Sequence, residues 1–178
     1  HDAMRAHTSY NRMRRRILTI PEKNDYQDML ARMSAISNEL VFTDSASGIT
    51  VSALAAKIEQ HRPEVVMVDG VYLMIDEQTG ESNTPQALTN ITRALKRMAQ
   101  RLKIPVIIST QTLLWKMRGG KVTADSIGYS SSFYQDSDVI LGLEEDENDP
   151  EARILKVVAS RNCGPEEAVL TWRWETGC

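Results

Sequence analysis

A chain of 178 residues with 42% hydrophobic side chains has one domain's worth of material and enough bulk for a buried core. Its formal charge of -3 gives no reason, on overall balance, to expect a strong nucleic-acid binder or a membrane-surface protein. The two cysteines lack a paired spacing, the three histidines are scattered, and nothing approaches the roughly 18 apolar residues of a membrane span or resembles a signal peptide. The expectation is a single soluble domain over residues 1–178, in the cytoplasm and not in a membrane. The chain opens at His1 rather than Met, as a fragment or processed product would.

Taken in order, Asp2 to Leu18 reads as a helix, with Met4, Tyr10 or Met13, and Ile17 inward. Five arginines stand against one acidic residue in positions 1–16, a cationic end that could steer a polyanion or simply be a solvated face. Pro21 is expected to interrupt the helix, and Tyr26 to Ile36 to begin another with Met29, Leu30 and Met33 facing in. Leu40 to Phe42 reads as a brief strand before a turn-rich stretch. Thr50 or Ser52 is placed to cap a helix through Leu54, Ala55 and Ile58. His61 is read as a boundary residue rather than a ligand.

The centre of the chain is the run from Pro63 to Gln111. Glu64 to Val68 holds three valines and a Met without polar alternation, the pattern of a buried parallel strand, and Asp69 stands at its carboxyl end. From Gln86, apolar residues recur at Leu88, Ile91, Leu95, Met98 and Leu102, a helical period. Arg93, Lys96, Arg97 and Arg101 mark the opposite, solvated face. Lys103, Ile104 and Pro105 end this helix, and Val106 to Ser109 form a second strand tipped by Thr110 and Gln111. A strand, crossover helix and parallel strand connect right-handedly, which brings Asp69 and Gln111 to one edge of the sheet.

Residues 112–132 have little regular pattern. Gly119 and Gly120 predict a loop tip, with Lys116, Arg118 and Lys121 around it, suited to a phosphate backbone or to solvent alone. Trp115 could stack on a base or anchor the loop. Val139 to Leu143 and Arg153 to Ala159 read as strands separated by an acidic run, Glu144 to Glu151, with six carboxylates. That run is most simply a hydrated loop, since it lacks the ligand spacing and central Gly of a calcium loop. Ser160 and Arg161 tip the second strand, and Val169 to Trp174 pairs back after a turn at 162–165. These elements predict an α/β fold: an open, twisted, mostly parallel sheet with helices on both faces and an antiparallel C-terminal extension.

Three side chains carry candidate chemistry. A strand-end carboxylate such as Asp69 can hold Mg²⁺ directly or through water, or cap the following turn. An amide such as Gln111 offers donor and acceptor together, suiting it to sense a phosphate or orient water; alone it is usually a turn residue. Arg161 could reach a neighbouring subunit's nucleotide, or form a surface ion pair.

VVMVDGVYLM, the long helix and IPVIISTQ resemble the Walker B strand, following helix and glutamine-bearing strand of the RecA-like motor domain in the DnaB-like hexameric replicative DNA helicases of bacteria and phages. SSFYQDSDVILGL and ILKVVASRNCGPEEAVLTW are similar to that family's Gln-Asp-x-Asp segment and to its closing strand, arginine finger and C-terminal strand. The resemblance implies an ATP-dependent helicase with Mg²⁺ and ATP as cofactors, single-stranded DNA and a primase or helicase loader as partners, and a homo-oligomeric, hexameric ring. It assigns Asp69 as the magnesium-side carboxylate, Gln111 as the residue coupling nucleotide state to DNA, Arg161 as the finger given in trans, and Lys116, Arg118 and Lys121 to a DNA loop.

There are departures. The family's phosphate loop, GxxxxGKS or GxxxxGKT, is absent from these residues, as is the strand bearing its water-activating glutamate. Ala159 stands where the family's Lys-x-Arg has its lysine. The chain thus reads as the latter two-thirds of a motor domain, inactive alone. Alternatives are a recombinase-type or clock-type RecA-like ATPase, or a non-catalytic assembly module with this fold.

Overall fold

The computed structural model describes residues 8–36, 40–44, 46, 48–112 and 132–171. Contacts divide the chain into two compact units, one of His1–Phe42, Glu145–Arg153 and Val169–Cys178, the other of Thr43–Glu144 and Ile154–Ala168.

In the first unit, helix α1 spans only Tyr10–Arg14, capped by Ser9. It stops because Arg16 adopts a left-handed backbone, φ 60°, so the expected helix to Leu18 is cut short. Helix α2 is Ile20–Ser34 and begins before Pro21 rather than after it. Proline in the first turn removes only an N–H that has no helical partner. Thr19 and Glu22 close a capping box: Glu22 Oε2 accepts from the Thr19 N–H at 2.8 Å, and Thr19 Oγ1 accepts from the Glu22 N–H at 3.4 Å. Met29 and Met33 are half-buried, whereas Leu30 is exposed, so the inward face is narrower than expected. Leu40 to Phe42 pairs with no strand among the described residues; Phe42 is 88% exposed. Three apolar residues give too few ladder bonds to make a strand without a committed partner edge.

The second unit holds the core. Helix α3, Val51–His61, starts at Thr50, whose Oγ1 accepts from the Ala53 N–H at 3.2 Å. Glu77 reinforces that end by accepting from Ser52 N–H and Oγ–H, each at 2.9 Å. Strand β1, Val66–Val68, pairs in parallel with β2, Val106–Ile108, in the register Val66↔Val106, Met67↔Ile107 and Val68↔Ile108. Between them runs α4, Pro85–Leu102, capped by Thr84 and ended by Lys103 in the left-handed region, φ 55°. Leu88, Ile91, Leu95 and Met98 of α4 and Leu54, Ala55 and Ile58 of α3 form one cluster with Val66. Burying each of the larger ones is worth roughly 1.5–3 kcal/mol. The other side-chain row of the pair, Met67 and Ile107, is 74% and 52% exposed.

Helix α5, Ser132–Asp136, precedes β3, Val139–Glu145, which is followed by β4, Ala152–Ser160, and β5, Glu167–Thr171. These strands pair antiparallel in chain order. The acidic run is only partly a loop: Glu144 and Glu145 belong to β3, with the largely buried Glu144 paired to Lys156, and the rest forms the β3–β4 turn, where Asp146 Oδ1 accepts from the N–H groups of Asn148 and Asp149 at 2.8 and 3.2 Å. The fold is thus α/β, a parallel pair flanked by helices with an antiparallel C-terminal extension. No helix among the described residues is long and apolar enough to cross a membrane.

Candidate functional site

The carboxyl ends of β1 and β2 carry the first constellation. The Ser109 N–H donates to Val68 O at 2.9 Å, and the Val71 N–H donates to Ser109 O at 3.0 Å. That backbone clamp continues the parallel pair past Val68 and sets Asp69 beside Ser109, whose hydroxyl donates to Asp69 Oδ1. The Asp69–Gly70 peptide is cis. The chain then enters a 3-10 turn, Val71–Leu73, anchored by Val71 and Met74, which are 0% and 1% exposed. Tyr72 leaves this turn and accepts, through its hydroxyl, a hydrogen bond from Gln111 Nε2 at 3.3 Å. Asp69 and Gln111 therefore stand on the same rim of the sheet, each hydrogen-bonded across from one strand's end to the other's. Neither Ser109 nor Tyr72 was singled out by sequence pattern.

A second constellation surrounds Arg161. Its Nε donates to Ser137 O at 3.3 Å, its Nη2 to Gln135 O, and its backbone N–H to Asp138 O at 3.0 Å. Its Nε also lies 3.9 Å from Asp138 Oδ1. A cation is thereby seated on the carbonyls that close α5, where the helix dipole is negative. Lys96 of α4 donates to Asp138 Oδ2, and Thr92 Oγ1 donates to Asp136 Oδ2 at 2.8 Å. The Lys96 hydrogen bond holds the Asp138 carboxyl below its ordinary range, against a smaller upward push from burial, with the Lys96 and Arg161 charges adding to the lowering.

A groove of about 1180 Å³ is lined by β2, Ser109 and Gln111, by Lys96 of α4 and by Asp138 and β3; Asp69, Tyr72 and Arg161 are not among its lining residues. Arg161, at the end of β4, is not joined to Asp69 or Gln111 by a hydrogen bond among the described residues; the partners described above, Gln135, Ser137 and Asp138, are on the α5–β3 segment. Lys116, Arg118, Lys121 and Trp115 lie outside the described residues. Ala159, the departure two residues before Arg161, lies within β4.

A third group, also unforeseen, is structural. Asp76 is 4% exposed and accepts from Asn90 Nδ2 at 2.8 Å, Thr79 Oγ1 at 2.9 Å and the Gln78 N–H at 3.2 Å. Burial pushes its pKa up, but the bonds from Asn90, Gln78 and Thr79 together outweigh it and leave the carboxyl below its ordinary range. This hub ties the turn at 76–80 to α4, and so fixes the connection between the two strands that carry Asp69 and Gln111.

A divalent hard cation needs few protein oxygens when phosphate and water complete its shell. The exposed Asp69 carboxylate, with the Ser109 hydroxyl against it, fits such a role. Among the described residues no three His, Cys, Asp or Glu side chains gather as a self-sufficient metal cage.

Comparison with known proteins agrees with this architecture. The replicative DNA helicase DnaC of Bacillus subtilis is 25% identical over 154 residues, 80% of this chain and 34% of that protein. The replicative DNA helicase DnaB of Geobacillus stearothermophilus is 26% identical over 152 residues, 79% of this chain and 34% of that protein. The chain spans about a third of the length of these relatives. In fold, it superposes on a solved DnaB-like replicative helicase, studied for its interactions with primase, with a TM-score of 0.85 at 19% identity, covering 98% of this chain and 46% of that one. A solved ATPase domain gives a TM-score of 0.86 at 19% identity, covering 99% and 66%. The model of the DnaB-like helicase C-terminal domain matches residues 3–175, and the chain belongs to that family.

Proposed function

We propose that this chain is part of the single motor domain of a ring-forming replicative DNA helicase, which couples NTP hydrolysis to translocation on single-stranded DNA and to duplex unwinding. The observation that carries the reading is the shared rim of Asp69 and Gln111, at the carboxyl ends of adjacent parallel strands. Ligands of open α/β sheets bind at that edge.

In this reading ATP is the nucleotide. Bound Mg²⁺ would neutralise charge on the β- and γ-phosphates. Asp69 would hold it, directly or through water, with Ser109 fixing the carboxylate's orientation. Gln111 uses its amide to sense the γ-phosphate or its attacking water, since it can donate and accept at once. Arg161 is the finger given in trans: a guanidinium more than half exposed at a strand's end, able to exchange its intrachain carbonyl contacts for a neighbour's phosphate. Lys116, Arg118 and Lys121 contact the DNA backbone, so binding weakens as salt rises. The ring is a homo-oligomer, its partners by family are a primase or loader, and the compartment is the cytoplasm. The 178 residues alone hydrolyse ATP negligibly, because they carry no phosphate loop.

The test is forked-duplex unwinding by the full-length protein and its Asp69→Asn variant. ATP- and magnesium-dependent strand separation that the variant loses supports the reading. No unwinding by the wild type, or an unimpaired variant, defeats it.

A further inference from the structure

Tyr72 touches both halves of the rim. Its ring lies so close over Gly70 that a Cβ added there would meet ring carbon Cε1 at 2.5 Å. The ring also packs against the buried cluster, and its hydroxyl accepts from Gln111 Nε2 at 3.3 Å. The turn that presents it is held at both ends. The Val71 N–H is bonded to Ser109 O at 3.0 Å, and the Leu73 N–H to Gly70 O at 3.0 Å, while Val71 and Met74 are buried. The phenol oxygen is therefore set by the core, whereas Gln111 is an exposed residue three positions beyond the last residue of β2.

We propose that Tyr72 is a positioning residue for the hydrolysis assigned above: it holds the Gln111 amide against the turn that carries Asp69, so that the sensing amide and the metal-side carboxylate keep one mutual geometry. This rests on the helicase reading. The contact occupies one N–H of the amide and leaves its carbonyl and second N–H for phosphate or water. A single neutral hydrogen bond biases an orientation by only about three- to tenfold, weak enough to be exchanged for a stronger one to phosphate. Gly70 is required for the same reason, because a larger residue displaces the ring.

The variant Tyr72→Phe keeps the ring and its packing and removes only the hydroxyl. In the full-length protein it is expected to lower DNA-stimulated kcat about three- to tenfold while KM for ATP changes less than about twofold. Gln111→Ala made in the Tyr72→Phe background should then add less than it does in the wild type, by the factor that Tyr72→Phe alone costs, since Tyr72 acts only through the Gln111 amide. Wild-type turnover in Tyr72→Phe, or independent multiplication of the two effects, overturns the inference while leaving the helicase reading intact. A wild-type protein without DNA-stimulated turnover overturns the helicase reading and this inference with it.

Discussion

Ser109 donates its hydroxyl to Asp69 Oδ1 across the ends of two parallel strands, so the carboxylate at the centre of the site is aimed by a neighbour rather than by its own strand. Ser109→Ala leaves the β2 backbone untouched and removes that aim. We expect magnesium-dependent turnover of the full-length protein to fall about three- to tenfold, the worth of roughly 0.5–1.5 kcal/mol. Steady-state ATPase measured against magnesium concentration checks it; an unchanged Ser109→Ala profile would show that the carboxylate needs no such orientation.

Asp76 should be the most sensitive polar position in the second unit. Asp76→Ala strands the Asn90, Thr79 and Gln78 donors that now point at a buried carboxylate. The expected loss is roughly 2–4 kcal/mol, since charged hydrogen bonds and buried unpaired groups both count. Urea unfolding checks this: a shift within about 0.5 kcal/mol of wild type, the ordinary surface value, would mean that the hub is ornamental.

Glu22 gives a pH prediction with a definite sign. The Thr19 backbone N–H, the Thr19 hydroxyl and, more weakly, Ser9 and Arg12 lower its pKa from 4.5 to about 2, against an upward push from burial. A folded pKa below the unfolded one contributes stability that is complete above about 4.5 and is lost as pH falls toward 2. NMR titration of the Glu22 carboxyl should find its midpoint near 2, and Thr19→Ala should raise it only part of the way, since alanine keeps the backbone N–H that lowers it most. A midpoint near 4.5 in the wild type would rule out the capping box in solution.

Much of this was legible in the residues, for reasons that differ by element. The apolar runs at 65–68 and 106–108 and the 3.6-residue period of α4 mark two strands and the helix between them, although of 65–68 only Val66 is buried and Val65, Met67 and Ile107 stay exposed, and the parallel pairing leaves Asp69 and Gln111 one rim to share. Side-chain contacts across that rim have no such period. Nothing in the spacing of Ser109 or Tyr72 reveals the hydroxyls that meet Asp69 and Gln111, because both depend on a 3-10 turn only three residues long. Helix α5 was missed since five residues are too few to display a helical repeat. Pro21 was misread as a breaker because proline stops a helix and starts one equally well, and only the Thr19–Glu22 pair decides which. Arg161 was identified as a strand-end cation, but its seat on the carbonyls of Gln135 and Ser137 comes from packing far along the chain.

The most direct test mixes two inactive full-length proteins, Asp69→Asn and Arg161→Ala. If the site forms between subunits, an interface pairing Asp69 of one variant with Arg161 of the other is complete. Random mixing in equal amounts makes about a quarter of the interfaces of a ring so. The account predicts that ATPase activity absent from each variant alone returns in the mixture; a mixture as inactive as its components, with rings shown to exchange subunits, would contradict it.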